Sequence, residues 1–399
     1  MKNKIKELMD FFTIEKRIQS ANVLFYIALG IELVLMIVEK SALSVPFESY
    51  VFRLTFAITF AALLLIPHDK KEWSIIAVVL LFTFICYRIN GKNDLLRFAV
   101  FVMSAKNIDL RTTMKGIFYT TLAGFSVIAL LSVLNIMGSV SVIADYGREE
   151  GTELRYAFGF GHPNTLWGSA FALMLIWLWL YGKKARIWQY LILLAAIVGL
   201  YKITVSRTAF AIGIFTFVIA FLARFISRLF EKMWTFIATG IVTPVLCAVF
   251  SAWAAGASYI PRYYWDTEYY VFVYKLDAAL NNRLHNLYRA NNRHAGALET
   301  WKLFSDRLSE EYFDMGWVRI FYWYGIIPGV LICLLLIFFI YLCYKHMDIW
   351  TLILILAISI YSIVEATFVS VYIGRNFLLP ILGVYLGDFW KRKYYVKNC

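Results

Sequence analysis

The chain predicts an all-α polytopic membrane protein, and three observations lead there. Hydrophobic residues make up 61% of its 399 residues and charged residues only 16%, against roughly 25% charged in soluble domains. Apolar runs of about 16–25 residues recur along the whole length, and each is long enough to cross a hydrocarbon core of about 30 Å as a helix. The runs are continuous and do not alternate, which argues against a β-barrel. The cations follow the flanks of these runs, as membrane topology requires. The net charge of +13 is therefore not read as a nucleic-acid surface.

The expected spans are 21–38, 50–67, 73–87, 94–105, 114–137, 163–181, 187–204, 208–226, 233–254, 317–343, 349–364 and 368–388. The first follows a polar, basic stretch, residues 1–20. It is too long for the h-region of a cleavable signal, so it is expected to act as an uncleaved anchor. Lys70 and Lys71 precede the third span and Arg88 follows it. The fourth is short. Pro163 opens the sixth, where a missing donor costs nothing. Lys183, Lys184 and Arg186 separate the sixth from the seventh, and Arg207 marks the turn into the eighth. Arg228 and Lys232 precede the ninth. Little more than Glu365 divides the last two.

An even number of spans returns both termini to one side. Lys2, Lys4, Lys6, Lys70, Lys71, Lys106, Lys115, Lys183, Lys184, Arg224, Lys232, Lys345, Lys391 and Lys393 all fall on the flanks of that side, which the positive-inside rule makes cytoplasmic. Three regions follow. Residues 1–254 carry the first nine helices. Residues 255–316 form a long external loop. Residues 317–399 carry the last three helices and a basic tail. A loop of about sixty residues in a compact protein is usually functional. Rich in Tyr, Asn and Arg, it is expected to hold one or two amphipathic helices. Cys86, Cys247, Cys333, Cys343 and Cys399 show no CxxC or ligand spacing, so neither a disulfide nor a metal site is expected.

The outer flanks concentrate chemistry. Their cations are mainly arginine: Arg155, Arg207, Arg283, Arg289, Arg293 and Arg375. Arginine there works against the orientation rule, while its planar fork suits phosphate. The stretch RYAFGFGHPN at 155–164 sets Arg155, Gly159, Gly161, His162 and Asn164 before a helix N-terminus, a place that favours anions. Arg207 has no acid nearby in sequence. Arg375 is also alone, although Glu365 could reach it in space. Asp314, with Trp317, stands where the loop re-enters the membrane, as a general base or an arginine partner. Asp266, Glu268, Glu310 and Glu311 could bind a divalent cation, but solvated loop carboxylates are far commoner. Tyr263, Tyr264, Trp265, Tyr269 and Tyr270 could stack on sugar rings or anchor the interface.

In these residues the chain resembles the bacterial polysaccharide repeat-unit polymerases, the Wzy group of the O-antigen ligase/polymerase superfamily. The resemblance lies in RYAFGFGHPN at 155–164, SRTA at 206–209, NNRL at 281–284, DMGW followed by YGII at 314–327, and RNFLLP at 375–380. It covers roughly residues 50–390. The first of these is similar to a motif of Gram-positive capsule and exopolysaccharide polymerases. The resemblance implies a GT-C-like helical bundle in the cytoplasmic membrane. It implies a metal-independent, inverting glycosyltransferase without a cofactor, acting on undecaprenyl-pyrophosphate-linked oligosaccharide at the outer leaflet. A flippase and a chain-length regulator of the same pathway would be partners.

Carried over by motif, Arg155, Arg207, Arg283 and Arg375 are the expected pyrophosphate ligands, with Asn164 and Arg293 beside them. Asp314 and His162 are the candidate proton acceptors. Asp314 stands where ligases tend to have a histidine, which counts against ligase activity. A flippase for the same lipid-linked units and an O-antigen-type ligase are the alternatives.

Overall fold

The computed structural model describes residues 2–145, 152–230, 232–260, 267–289, 294–366 and 375–395. Helices dominate because hydrocarbon offers a backbone no other hydrogen-bond partner. In order they are α1 (Lys2–Glu39), α2 (Glu48–Leu65), α3 (Lys70–Asn90), α4 (Asp94–Ser104), α5 (Leu110–Val133), α6 (Pro163–Tyr181), α7 (Ile187–Thr204) and α8 (Arg207–Phe225). Then come α9 (Met233–Ala257), α10 (Glu268–Ala279), α11 (Arg283–Arg289), α12 (Gly316–Tyr324), α13 (Ile326–His346), α14 (Ile349–Val364) and α15 (Arg375–Tyr395).

Among the described residues nine helices are long and apolar enough to cross a membrane: α1 from Thr13, α2, α3, α5, α6, α7, α8, α9 and α13. The protein is thus an all-α polytopic membrane protein. The expected segments 94–105 and 349–364 coincide with shorter helices, α4 of 11 residues and α14 of 16; of the expected segment 368–388, residues 368–374 lie outside the described residues and the rest falls in α15, whose apolar stretch is Phe377–Trp390.

Local chemistry sets the ends. Asp69 and Glu72 form a capping box at the start of α3. Asp109 caps α5, and Asp348 accepts from the backbone of Trp350 and Thr351 to start α14. Pro244 interrupts α9, and the chain absorbs it in a π-helical segment, Ile241–Leu246.

Two features depart from expectation. The run 317–343 is not one span. It breaks at Gly325, whose φ is 102°. A Cβ there would lie 2.6–2.7 Å from the backbone of Leu303, Phe304 and Ser305. The loop docks into the break: Ile326 and Ile327 donate to the carbonyls of Lys302 and Leu303, and Ser305 donates to that of Tyr324. The stretch before α6 contains a β-hairpin, β1 (Ser141–Asp145) antiparallel to β2 (Thr152–Tyr156), with Val142 opposite Arg155. Gly159 and Gly161 leave the hairpin at positive φ, 81° and 72°. They serve this turn.

The core gathers around α6, α8, α13, α14 and α15. Trp167, Trp317, Tyr190 and Tyr361 are its largest fully buried side chains. α14 is buried along nearly its whole length, so its C-terminus, Glu365, is held at one end of the bundle. At the opposite end Lys106 meets Glu72 at 2.6 Å, Arg224 donates to Ala185, and Trp179 donates to Thr351.

Candidate active site

Four sequence-distant segments meet at Glu365. Its Oε1 accepts from Arg283 Nη2 at 2.6 Å and from Asn164 Nδ2 at 3.1 Å. Asn164 Oδ1 in turn accepts from Ser206 Oγ at 2.7 Å. Asp314 Oδ2 stands 3.6 Å from Arg283 Nε. These side chains come from the first turn of α6, the residue before α8, the start of α11 and the segment before α12.

Backbone geometry explains the convergence. Gly316 lets α12 touch the end of α14: a Cβ there would stand 2.9 Å from the carbonyl oxygen of Glu365. Trp317 Nε1 donates to the carbonyl of Ser359 at 2.9 Å and fixes the same contact. Arg283 is aimed by a tight turn. Asn281 and Asn282 take left-handed φ of 60°, a conformation asparagine tolerates. Asp277 then accepts from the backbone of Leu284 and His285 and holds the start of α11. Burial lifts the Asp277 carboxyl above its usual range, against those two hydrogen bonds.

Arg283 is 7% exposed and Asp314 44%. Arg283 Nη1 donates to the carbonyl of Leu280, while Nε is buried with no hydrogen-bond partner. Burial pushes the Glu365 carboxyl up to about 7; Arg283 and Lys40 pull it down and Asp314 pushes it further up. Lys40, at the end of α1, is itself buried, which takes its amine down to about 6 against the pull of Glu39 and Glu365. His162 is the N-cap of α6, and its Nδ1 accepts from the backbone of Asn164 at 3.1 Å. Partial burial lowers the imidazole below its usual range. Asp314 opposes this, and Arg155 and Arg283 add to it.

The structure therefore brings His162, Asn164, Arg283 and Asp314 together. Arg207 opens α8 next to Ser206 and is exposed. Arg155 lies in β2, only 3% exposed, with Nε and Nη2 donating to Glu153 at 2.8 and 2.5 Å. It reaches the cluster already paired, as Arg283 does. Arg293, Tyr263, Tyr264 and Trp265 lie outside the described residues, as does the side chain of Arg375. Among the described residues no group of His, Cys, Asp or Glu is arranged to hold a metal ion.

In the sequence Glu365 stands only as a possible partner for Arg375 and Ser206 only as the first residue of SRTA, while Lys40 and Arg319 carry no site assignment. An acid isolated between two apolar runs was the available signal for Glu365. Arg319 has no such signal. It is 2% exposed, between the rings of Trp323 at 3.9 Å and Tyr312 at 4.1 Å, and its Nε and Nη1 meet no hydrogen-bond partner. At the same end, Trp253, Tyr259, Tyr269 and Leu298 line a shallow apolar recess of about 370 Å³.

The fold and this cluster define a polytopic membrane protein with a buried mixed-charge centre at one end. No family model, curated protein or solved structure matches the chain.

Proposed function

We propose that the chain is a membrane glycosyltransferase. It joins undecaprenyl-pyrophosphate-linked oligosaccharide repeat units into capsular or exopolysaccharide at the outer face of the cytoplasmic membrane. In this reading α4, α14 and α15 complete twelve crossings with the nine long helices. Both termini are cytoplasmic, and 255–316 lies outside.

The observation that carries the reading is the convergence on Glu365. A guanidinium with an unused Nε donor, two carboxylates and a neutral imidazole occupy one end of an apolar bundle. Group transfer from a diphosphate needs those elements: a cation for the charge that develops on the leaving group and an acceptor for the nucleophile's proton. The nucleophile is a sugar hydroxyl on one lipid-linked unit. The leaving group is the diphosphate of the growing chain. Arg283 Nε supports that diphosphate, and Arg207, exposed at the start of α8 next to Ser206, is the second cation for it. Arg155, paired with Glu153 in its own strand, acts at one remove from the diphosphate. Tyr269 and Trp253 offer ring faces to sugars.

The test supplies purified protein in vesicles with synthetic lipid-linked single units, without added metal. A ladder of polymer is expected. Movement of intact units across the bilayer without extension would instead favour a flippase. Transfer of finished chains to another acceptor would favour a ligase.

A further inference from the structure

We infer that Glu365 is the proton acceptor of the transfer, taking the proton of the attacking sugar hydroxyl on its Oε2. The inference rests on the glycosyl-transfer reading above. Two donors, Arg283 Nη2 and Asn164 Nδ2, anchor Oε1. Oε2 accepts no hydrogen bond from any described residue, and the side chain is 21% exposed. One oxygen is fixed and the other is presented, the arrangement a general base requires.

The two acceptors expected from sequence fit less well. His162 Nδ1 already accepts the Asn164 amide. A neutral imidazole in that tautomer carries its proton on Nε2 and can only donate there. Asp314 is 44% exposed, and its recorded ion-pair contact is 3.6 Å long, so little fixes its orientation.

The step balances. The hydroxyl oxygen forms a bond to the anomeric carbon. The bond from that carbon to the diphosphate breaks, and its electron pair leaves with the diphosphate. The hydroxyl proton passes to Glu365. The elevated Glu365 carboxyl, near 7, suits a base working around neutrality. The groups facing it are Arg283 on α11, Asp314 ahead of α12, Lys40 after α1, Tyr312 in the loop and Tyr361 on its own helix. His162 and Arg155 lie one step further out.

The experiment measures chain extension by the full-length protein in nanodiscs with a synthetic lipid-linked unit, across pH. No extension by the wild type would fail the glycosyl-transfer reading itself. With extension present, Glu365→Gln is expected to lower kcat by about 10²–10⁴-fold with KM little changed. A kcat within threefold of wild type overturns the inference. A melting curve reports whether Glu365→Gln is folded. If it is not, Asn164→Leu decides. It removes a hydrogen bond that favours the ionised carboxylate, so it should move the acidic limb of the pH–rate profile from about 7 to higher pH. A limb that stays in place overturns the inference.

Discussion

Arg283 and Glu365 illustrate how a buried pair constrains substitution. The guanidinium is 7% exposed and the carboxylate 21%, so removing one partner leaves the other desolvated. Breaking such a pair costs roughly 3–5 kcal/mol. The loss for Arg283→Met should fall at the low end, because Glu365 escapes by binding a proton. Arg283→Met with Glu365→Gln should recover most of that stability, since two neutral groups need no partner, yet should not restore chain extension. Thermal melts in detergent alongside the extension assay check both halves. Recovery of activity in the double variant would remove Arg283 from the site. The sign of the pH effect follows from Glu365. Its folded carboxyl lies near 7, above the usual 4.5. The stabilisation tied to its protonated form is present below about 4.5 and is lost as pH rises toward 7. Glu365→Gln should therefore flatten the melting temperature across that window, and an unaltered slope would contradict the shift.

At the scale of elements, Gly325 is the sharpest case. A left-handed φ costs a non-glycine residue about 1–3 kcal/mol, and the loop backbone already occupies the space a Cβ would need. Gly325→Ala should lower the melting temperature and make the 302–305 segment more sensitive to protease; an unchanged melt and cleavage pattern would contradict that packing. This break also shows where sequence reading stops. Residues 317–343 are apolar on both sides of Gly325, and hydropathy does not register a loop docking from elsewhere in the chain. The helices over 163–181, 187–204 and 349–364 were legible to the residue, because a proline, an arginine and an aspartate mark their starts. The hairpin was not. Its strands are five residues each, too short to establish a period of two, and its glycines suggested a ligand loop. Residue chemistry singled out His162, Asn164, Arg283 and Asp314 as site candidates. The centrality of Glu365 was hidden, since its partners lie 82 and 201 positions away.

For the whole molecule, the two ends differ in kind. One holds the Glu365 cluster, the hairpin and α10 to α12; the other holds Lys106 with Glu72 and the lysine-bearing turn after α6. With Cys399 replaced by Ser, Arg289→Cys and Lys183→Cys place one exposed thiol at each end. An impermeant maleimide should label the first in intact cells and the second only after permeabilisation. The reverse pattern would invert the orientation, and equal labelling would undo the two-ended assignment. A final consequence comes from the carboxylate already seated on Arg283. Membranes are crowded with singly charged phosphodiester headgroups, and a bare cationic mouth would be clogged by them. An arginine that carries its own counter-anion at rest offers such headgroups little gain. Only a more highly charged guest has enough Coulombic attraction to compete, so on the proposed function the resting ion pair acts as a filter against the surrounding lipid.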